Sequence, residues 1–313
     1  KLFKFFNKIK PTFLKDSNSI SSNMNKRGGG ILEIEILDKT SDIENYFQIN
    51  SIFDTVDSMG ANFINSCLEQ FAITLKREAK IYSEFDENEK EIDIIMSILS
   101  NYVPECVVKA EVSCNVDSIG ENGINGAEYV KKFAQAIQIA KTQTERAVTH
   151  NKGIMNGIDS VIIATGNDFR AIEAGVHAYA AKDGFYKSLT DVSIENNIFK
   201  FWIEVPLSLG TVGGITNLHP LVKWSLNLLD NPKGKELMKI VAVAGLAQNF
   251  GAINSLITTG IQKGHMKMHL INILNSLDAN EKEKEMLINF FKKNTVSYSS
   301  AKTELTNLRN NGF

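Results

Sequence analysis

Lysine, histidine, aspartate and asparagine crowd into one short stretch, Thr149 to Ala171, which reads T-H-N-K-G-I-M-N-G-I-D-S-V-I-I-A-T-G-N-D-F-R-A. Inside it lies an apolar run, Val161-Ile162-Ile163-Ala164, of the kind that is buried, and a buried charge must be paired or neutralised. Lys152 and Asp168 stand on either side of that run. A helix broken near Gly166 would let the two meet beside a cleft, where the carboxylate favours the protonated lysine. The same pattern also fits a lysine and an aspartate on the solvated ends of a core helix. All five histidines lie beyond residue 149, so any histidine chemistry belongs to the second half.

The elements that must position these residues follow from periodicity. Lys1 to Lys10 is basic and aromatic and reads as an amphipathic helix packing on the rest of the chain, not as a signal peptide. Asp16 to Lys26 is Ser/Asn-rich and reads as a loop. Gly28-Gly29-Gly30 opens a strand, Ile31 to Leu37, and Tyr46 to Val56 supplies a second. Asp57-Ser58-Met59-Gly60 turns into a helix over Ala61 to Tyr82, which an aspartate cap at Asp57 would open. Ser83 to Glu91 is an exposed turn. Ile92 to Leu99 and Cys106 to Val112 read as two more strands, which predicts a small α+β unit with an antiparallel sheet. A long helix with Tyr129, Phe133, Ile137 and Ala140 on one face leads into the central stretch. Phe169 to Ala181 is a helix capped by Asp168, and Tyr186 to Val205 is a hairpin about an E-N-N turn. Gly210 to Gly214 reads as a tight turn against a packed element. His219-Pro220 starts a helix, Lys235 to Gly264 is helical, and the tail carries two amphipathic helices, Glu281 to Phe291 and Ser300 to Leu308.

Composition narrows the class. The 313 residues are enough for two domains and an appendage. With 34 Lys+Arg against 36 Asp+Glu, nothing marks a nucleic-acid partner. No uninterrupted apolar run approaches the roughly 18 residues that a membrane crossing needs. Three cysteines (Cys67, Cys106, Cys114) without metal-ligand spacing fit a reducing, cytoplasmic compartment and no metal site.

H-N-K-G-I-M-N-G-I-D followed by A-T-G-N-D-F-R-A-I-E-A-G resembles the catalytic core of the class II 3-hydroxy-3-methylglutaryl-coenzyme A (HMG-CoA) reductases. R-G-G-G-I-L-E-I-E-I (Arg27 to Ile36), V-D-S-M-G-A-N (Val56 to Asn62) and G-L-A-Q-N-F-G-A-I-N-S-L-I-T-T-G-I-Q-K-G-H-M-K-M-H (Gly245 to His269) agree with that family in the expected order. The resemblance implies an α+β chain with a ferredoxin-like NAD(P)-binding domain over 1–105, a larger, mostly helical catalytic domain over 106–264 and a mobile C-terminal flap over 265–313. It implies reduction of HMG-CoA to mevalonate and coenzyme A in two hydride transfers, through mevaldyl-coenzyme A and mevaldehyde. The implied assembly is a homodimer with its site between subunits.

Residue by residue, the resemblance makes Lys152 the cation at the carbonyl oxygen, Asp168 its orienting carboxylate and His265 the proton donor to the coenzyme A thiolate. Arg146, Asn156 and Gln248 fall at substrate positions, with Arg146 suited to the free carboxylate. Asp57, Met59, Gly60, Ala61, Asn62 and Asn101 fall at cofactor positions. His150 lies beside the site without a catalytic duty. Where NADH-preferring members carry an acidic residue at the adenine ribose this chain has Ser21, and with Lys26 and Arg27 nearby NADPH is expected over NADH. The family's catalytic glutamate has no match. Glu105, in P-E-C-V-V-K-A, lies in the wrong order for it. The expectation is that this glutamate belongs to a segment preceding Lys1. The competing reading is a catalytically impaired CoA-thioester-binding homologue.

Overall fold

Phe5, Phe6, Ile9 and Phe13 recur at helical spacing, and that stripe decides where the N-terminal helix lies. The computed structural model describes residues 1–121, 123–216, 218–258, 260–292 and 294–310, with the side chains of 261–268 left aside. Helix α1 (Leu2–Asp16) buries the four aromatic and aliphatic side chains against Phe71, Leu75 and Ala79. Helix α2 (Asn18–Lys26) occupies the stretch expected to be a loop. Serine and asparagine are poor helix formers because their side chains compete for the backbone. Here tertiary packing overrides that preference, since Ser17, Ser21 and Met24 are all buried.

Strands β1 (Gly30–Asp38) and β2 (Phe47–Asp54) pair antiparallel, and α3 (Ala61–Ile81) packs beneath them. The glycine triplet has a structural reason. Gly28, at φ +91, ends α2 with the two bonds of a Schellman motif, Gly29 N–H to Met24 O and Gly28 N–H to Asn25 O. A Cβ on Gly29 would lie 2.4 Å from the Asp54 carbonyl of β2.

The expected four-stranded small sheet does not form. Residues 92–99 make no ladder; Ile92 and Ile94 pack on the α1–α3 cluster, and the Leu99 N–H donates to Asn65 Oδ1. Ile95, Met96 and Ile98 stay exposed, at 73%, 72% and 60%. The next strand, β3 (Val107–Asn115), joins a different sheet.

That sheet is antiparallel with order β3-β5-β4. Between its strands run α4 (Gly126–Thr142), α5 (Thr144–Ala164) and α6 (Phe169–Ala180), followed by β4 (Thr190–Glu195) and β5 (Ile198–Pro206). The expected hairpin turns at Asn196 and Asn197, both at positive φ, as a two-residue turn between twisted strands requires. Alternation along β5 buries Phe199, Phe201, Ile203 and Val205, and Phe133 of α4 meets the first two rings edge-on.

Helix α7 (Pro220–Leu228) starts at Pro220 as expected, and α8 (Gly234–Ile257) runs through the core. By length and composition α8 could cross a bilayer, with a mean hydropathy of 1.5. It instead buries Leu237, Val241, Ala242, Leu246 and Ile253 in the cluster that holds the second sheet. The predicted single helix over 235–264 is broken, because α8 ends at Ile257 and Gly260 sits at φ +79 before α9 (Ile261–Ser276). Helices α9, α10 (Glu281–Phe290) and α11 (Tyr298–Asn310) share a small cluster of their own around Leu270, Leu274, Leu287 and Leu305.

Candidate functional site

The central stretch folds as two helices joined by a tight turn. Helix α5 ends in a second Schellman motif, with Gly166 at φ +71, its N–H on Ile163 O and the Asn167 N–H on Ile162 O. A Cβ at Gly166 would press on Ile215 and Val222 at 3.0 Å, so the predicted break is required by packing as well as by conformation. Asp168 then caps α6, its Oδ1 accepting the N–H groups of Arg170 (3.1 Å) and Ala171 (3.4 Å).

Along α5, Ala147, His150, Asn151, Ile154, Met155, Ile158 and Ile162 turn inward. Lys152 and Asn156, four residues apart and therefore neighbours on the helix surface, face outward. Arg146 is half-buried, and burial holds its pKa below the usual value. Gln248 of α8 abuts α5 at Gly157, where an added Cβ would lie 2.8 Å from the Gln248 Cβ and 2.5 Å from the Ala244 carbonyl. Gln248 thus lies at the α5–α8 contact, while Lys152 and Asn156 share the outer face of α5.

The structure does not bring Lys152 to Asp168. Among the described residues no ion pair joins them, and Lys152 lies twelve residues before the end of α5, a rise of about 18 Å. The Asp168 carboxylate is instead gripped by the Arg170 guanidinium, Nε on Oδ1 at 3.2 Å and Nη2 on Oδ2 at 3.1 Å, which pulls its pKa below the usual carboxylate range. His265 falls within α9, and its side chain lies outside those described.

Two features of the site had no signal in the sequence. His150 is 2% exposed and its Nε2 lies 2.7 Å from Thr190 Oγ1. That hydroxyl donates to Asn249 Oδ1 at 3.0 Å, so Nε2 carries the hydrogen and Nδ1 is a buried acceptor without a partner among the described residues. Burial and the nearby Arg146 charge push His150 down to about 3, so it is neutral and pins α5 to β4. Asn151 adds to the pin by donating to Lys187 O and accepting from the Leu189 N–H. The second feature is Asp159, which feels Glu173 of α6. Burial, then the Glu173 charge, raise it to about 7, and its Oδ1 is buried without a partner among the described residues. Two neighbouring carboxyls disfavour ionising together.

The loop Asp57 to Asn62 is placed by Gly210 to Val212 and by the start of α8. Gly60, at φ +78, caps α3 without any side-chain bond, and no acidic residue sits in the first turn. The expectation that Asp57 caps α3 is therefore corrected. Its Oδ1 accepts the N–H of Gly234, the first residue of α8, at 2.8 Å. Met59 is pressed against Gly210, Ala61 and Asn62 open α3, and a Cβ at Gly175 would lie 2.6 Å from the carbonyl of Asn101, which packs there on α6. Ser21 is 4% exposed, with its hydroxyl accepting from Asn25 Nδ2 inside α2. The stretch that carries it is a packed helix where a loop was expected. The bare N-terminus of α3, with its unpaired N–H groups, suits a phosphate.

A family model for hydroxymethylglutaryl-coenzyme A reductase matches residues 2–270. The chain belongs to the hydroxymethylglutaryl-coenzyme A reductase family. It is 37% identical over 268 residues to the 3-hydroxy-3-methylglutaryl-coenzyme A reductase of Archaeoglobus fulgidus, covering 84% of this chain and 57% of that one. It is 34% identical over 295 residues to a probable reductase of Borreliella burgdorferi, covering 92% and 65%. The chain thus spans less than two thirds of either relative. A Streptococcus pneumoniae HMG-CoA reductase structure superposes with a TM-score of 0.73 at 34% identity, over 97% of this chain and 70% of the other. A class II reductase from the same organism, solved with NADPH in open conformations, gives 0.71 at 35% identity, over 98% and 72%. The α+β class read from the sequence holds for this reductase-family chain, and its small sheet has two strands.

Proposed function

We propose that the protein reduces HMG-CoA to mevalonate and coenzyme A with NADPH as the hydride donor. The observation that carries this reading is the solved NADPH-bound reductase that superposes on nearly the whole chain. When bound, the dinucleotide supplies hydride to the thioester carbon and then to the aldehyde carbon.

The chain's own residues do the rest. The α3 N-terminus and the Asp57–Asn62 loop hold the pyrophosphate end, and the exposed Lys26 and Arg27 favour a 2′-phosphate. Arg146 holds the substrate's free carboxylate, with Asn156 and Gln248 orienting its other polar groups. The Lys152 ammonium stabilises the charge that builds on the carbonyl oxygen at each reduction, a role that mutagenesis of comparable donors values at about 3 kcal/mol. His265 protonates the departing thiolate. Asp168 is open to a lysine only once Arg170 releases it, and within one chain the length of α5 keeps it from Lys152. The working unit in this reading is a cytoplasmic homodimer.

The alternative, a thioester-binding homologue without turnover, is supported by the Arg170 grip on Asp168, which leaves Lys152 without that carboxylate. Following NADPH consumption and mevalonate formation with HMG-CoA separates the two. Turnover is expected with kcat/KM for NADPH above that for NADH, by about tenfold for one favourable phosphate contact. Binding of HMG-CoA without NADPH consumption would establish the alternative.

A further inference from the structure

Asp57 makes a polar contact that spans 177 residues of sequence, its Oδ1 accepting the backbone N–H of Gly234 at the start of α8. Helix α8 begins with Lys233 as its cap residue and no side-chain acceptor of its own for the Gly234 N–H. The first N–H groups of a helix need a partner, and the helix dipole favours an anionic one. The backbone of the same residue is engaged as well, because the Asp57 carbonyl accepts the N–H groups of Thr211 (2.8 Å) and Val212 (3.1 Å). Contact is close on both sides. A Cβ at Gly234 would lie 3.3 Å from the Asp57 Cα, and one at Gly210 would lie 2.6 Å from the Met59 nitrogen.

A second observation is independent of these bonds. Val56, the residue before Asp57, sits at φ +54. A β-branched side chain in the left-handed region is an outlier that persists only where the surroundings impose it. Its N–H is held by Asp54 Oδ1 at 2.8 Å, so the loop is pinned on the strand side and again at Asp57, with the strained residue between.

We infer that Asp57 is a positioning residue: its carboxylate latches the Asp57–Asn62 loop onto the N-terminus of α8, the helix that carries Gln248, and acts on the dinucleotide only through the placement of that loop. This rests on the proposed NADPH-dependent reading and departs from the direct cofactor contact that family resemblance assigns to the residue.

The test uses the full chain and its Asp57→Ala and Asp57→Asn variants. The readouts are NADPH titration and amide hydrogen exchange at Thr211, Val212 and Gly234. Asp57→Ala removes the acceptor, so exchange at Gly234 is expected to quicken and NADPH affinity to fall by about tenfold, the loss of one hydrogen bond to a charged group. Asp57→Asn keeps an oxygen aimed at Gly234 and restores both readouts to within about threefold of the parent. Equal losses of NADPH affinity in both variants, with exchange unchanged, would mean that the carboxylate touches the dinucleotide and would overturn the latch. So would unchanged exchange in Asp57→Ala. If the parent chain binds no NADPH, the proposed function fails, and the latch stands or falls on the exchange rates alone.

Discussion

Lys152 is exposed and makes no ion pair among the described residues, so its ammonium does little for the folded state. Surface changes of this kind shift stability by about 0.5 kcal/mol or less. Lys152→Ala is accordingly expected to leave the thermal midpoint in place and lower kcat by more than about a hundredfold. Retention of a tenth of parental kcat would remove Lys152 from the chemistry. The break at Gly166 was legible in the sequence, because it is a local matter of spacing, whereas Lys152 and Asn156 were named by family resemblance. Asp159 was not. Nothing near it in the chain announces a carboxyl partner, since Glu173 reaches it from the next helix.

At the scale of elements, the α5–α8 contact is the closest packing near the site. Gly157 and Gly153 lie one turn apart on α5 and give opposite expectations. Alanine gains about 1 kcal/mol over glycine in a helix interior. At Gly153 an added Cβ meets nothing within 4 Å, so Gly153→Ala should raise stability by roughly that amount. At Gly157 the Cβ would lie 2.5 Å from the Ala244 carbonyl, a backbone atom that cannot swing aside. Overpacking costs about 1–3 kcal/mol and outweighs the helical gain, so Gly157→Ala should lower stability and loosen Gln248 from the Lys152 face. Urea midpoints of the two variants check this, and a stabilised Gly157→Ala would show that the helices have room to part. Stripes such as Tyr129, Phe133 and Ile137 placed their helices correctly from sequence. Helix α2 was hidden because buried serines made a helix look like a loop, and residues 92–99 have strand-like composition without a neighbour to pair with.

For the whole molecule, two buried groups pull stability in opposite directions with pH. His150 is lowered from 6.5 to about 3, so the unfolded chain binds its proton first. Stability from this group is complete above pH 6.5 and is lost as pH falls from there towards 3, by up to about 5 kcal/mol. Asp159 is raised from 3.8 to about 7, so the folded chain keeps the proton. Its stabilisation is complete below pH 3.8 and is lost as pH rises to 7. Between those limits the two slopes oppose. Asp159→Asn should make stability climb more steeply from pH 4 to 6.5, and His150→Gln should make it fall with pH over the same range. Denaturant titrations at several pH values decide it, and identical slopes in both variants would contradict the assignment. Such long-range pairings, like the Asp57–Gly234 bond, have no local signature and appear only once the chain is folded.

Helix α8 meets the length and apolarity that a lipid phase accepts, yet it reaches its place only by closing against α5, α4 and the strands of the second sheet. Until α5 has formed, the same 24 residues are an adhesive rod in water, drawn to detergent, vesicles or another unfolded copy. Recovery from denaturant should therefore hinge on chain concentration and on the absence of amphiphiles.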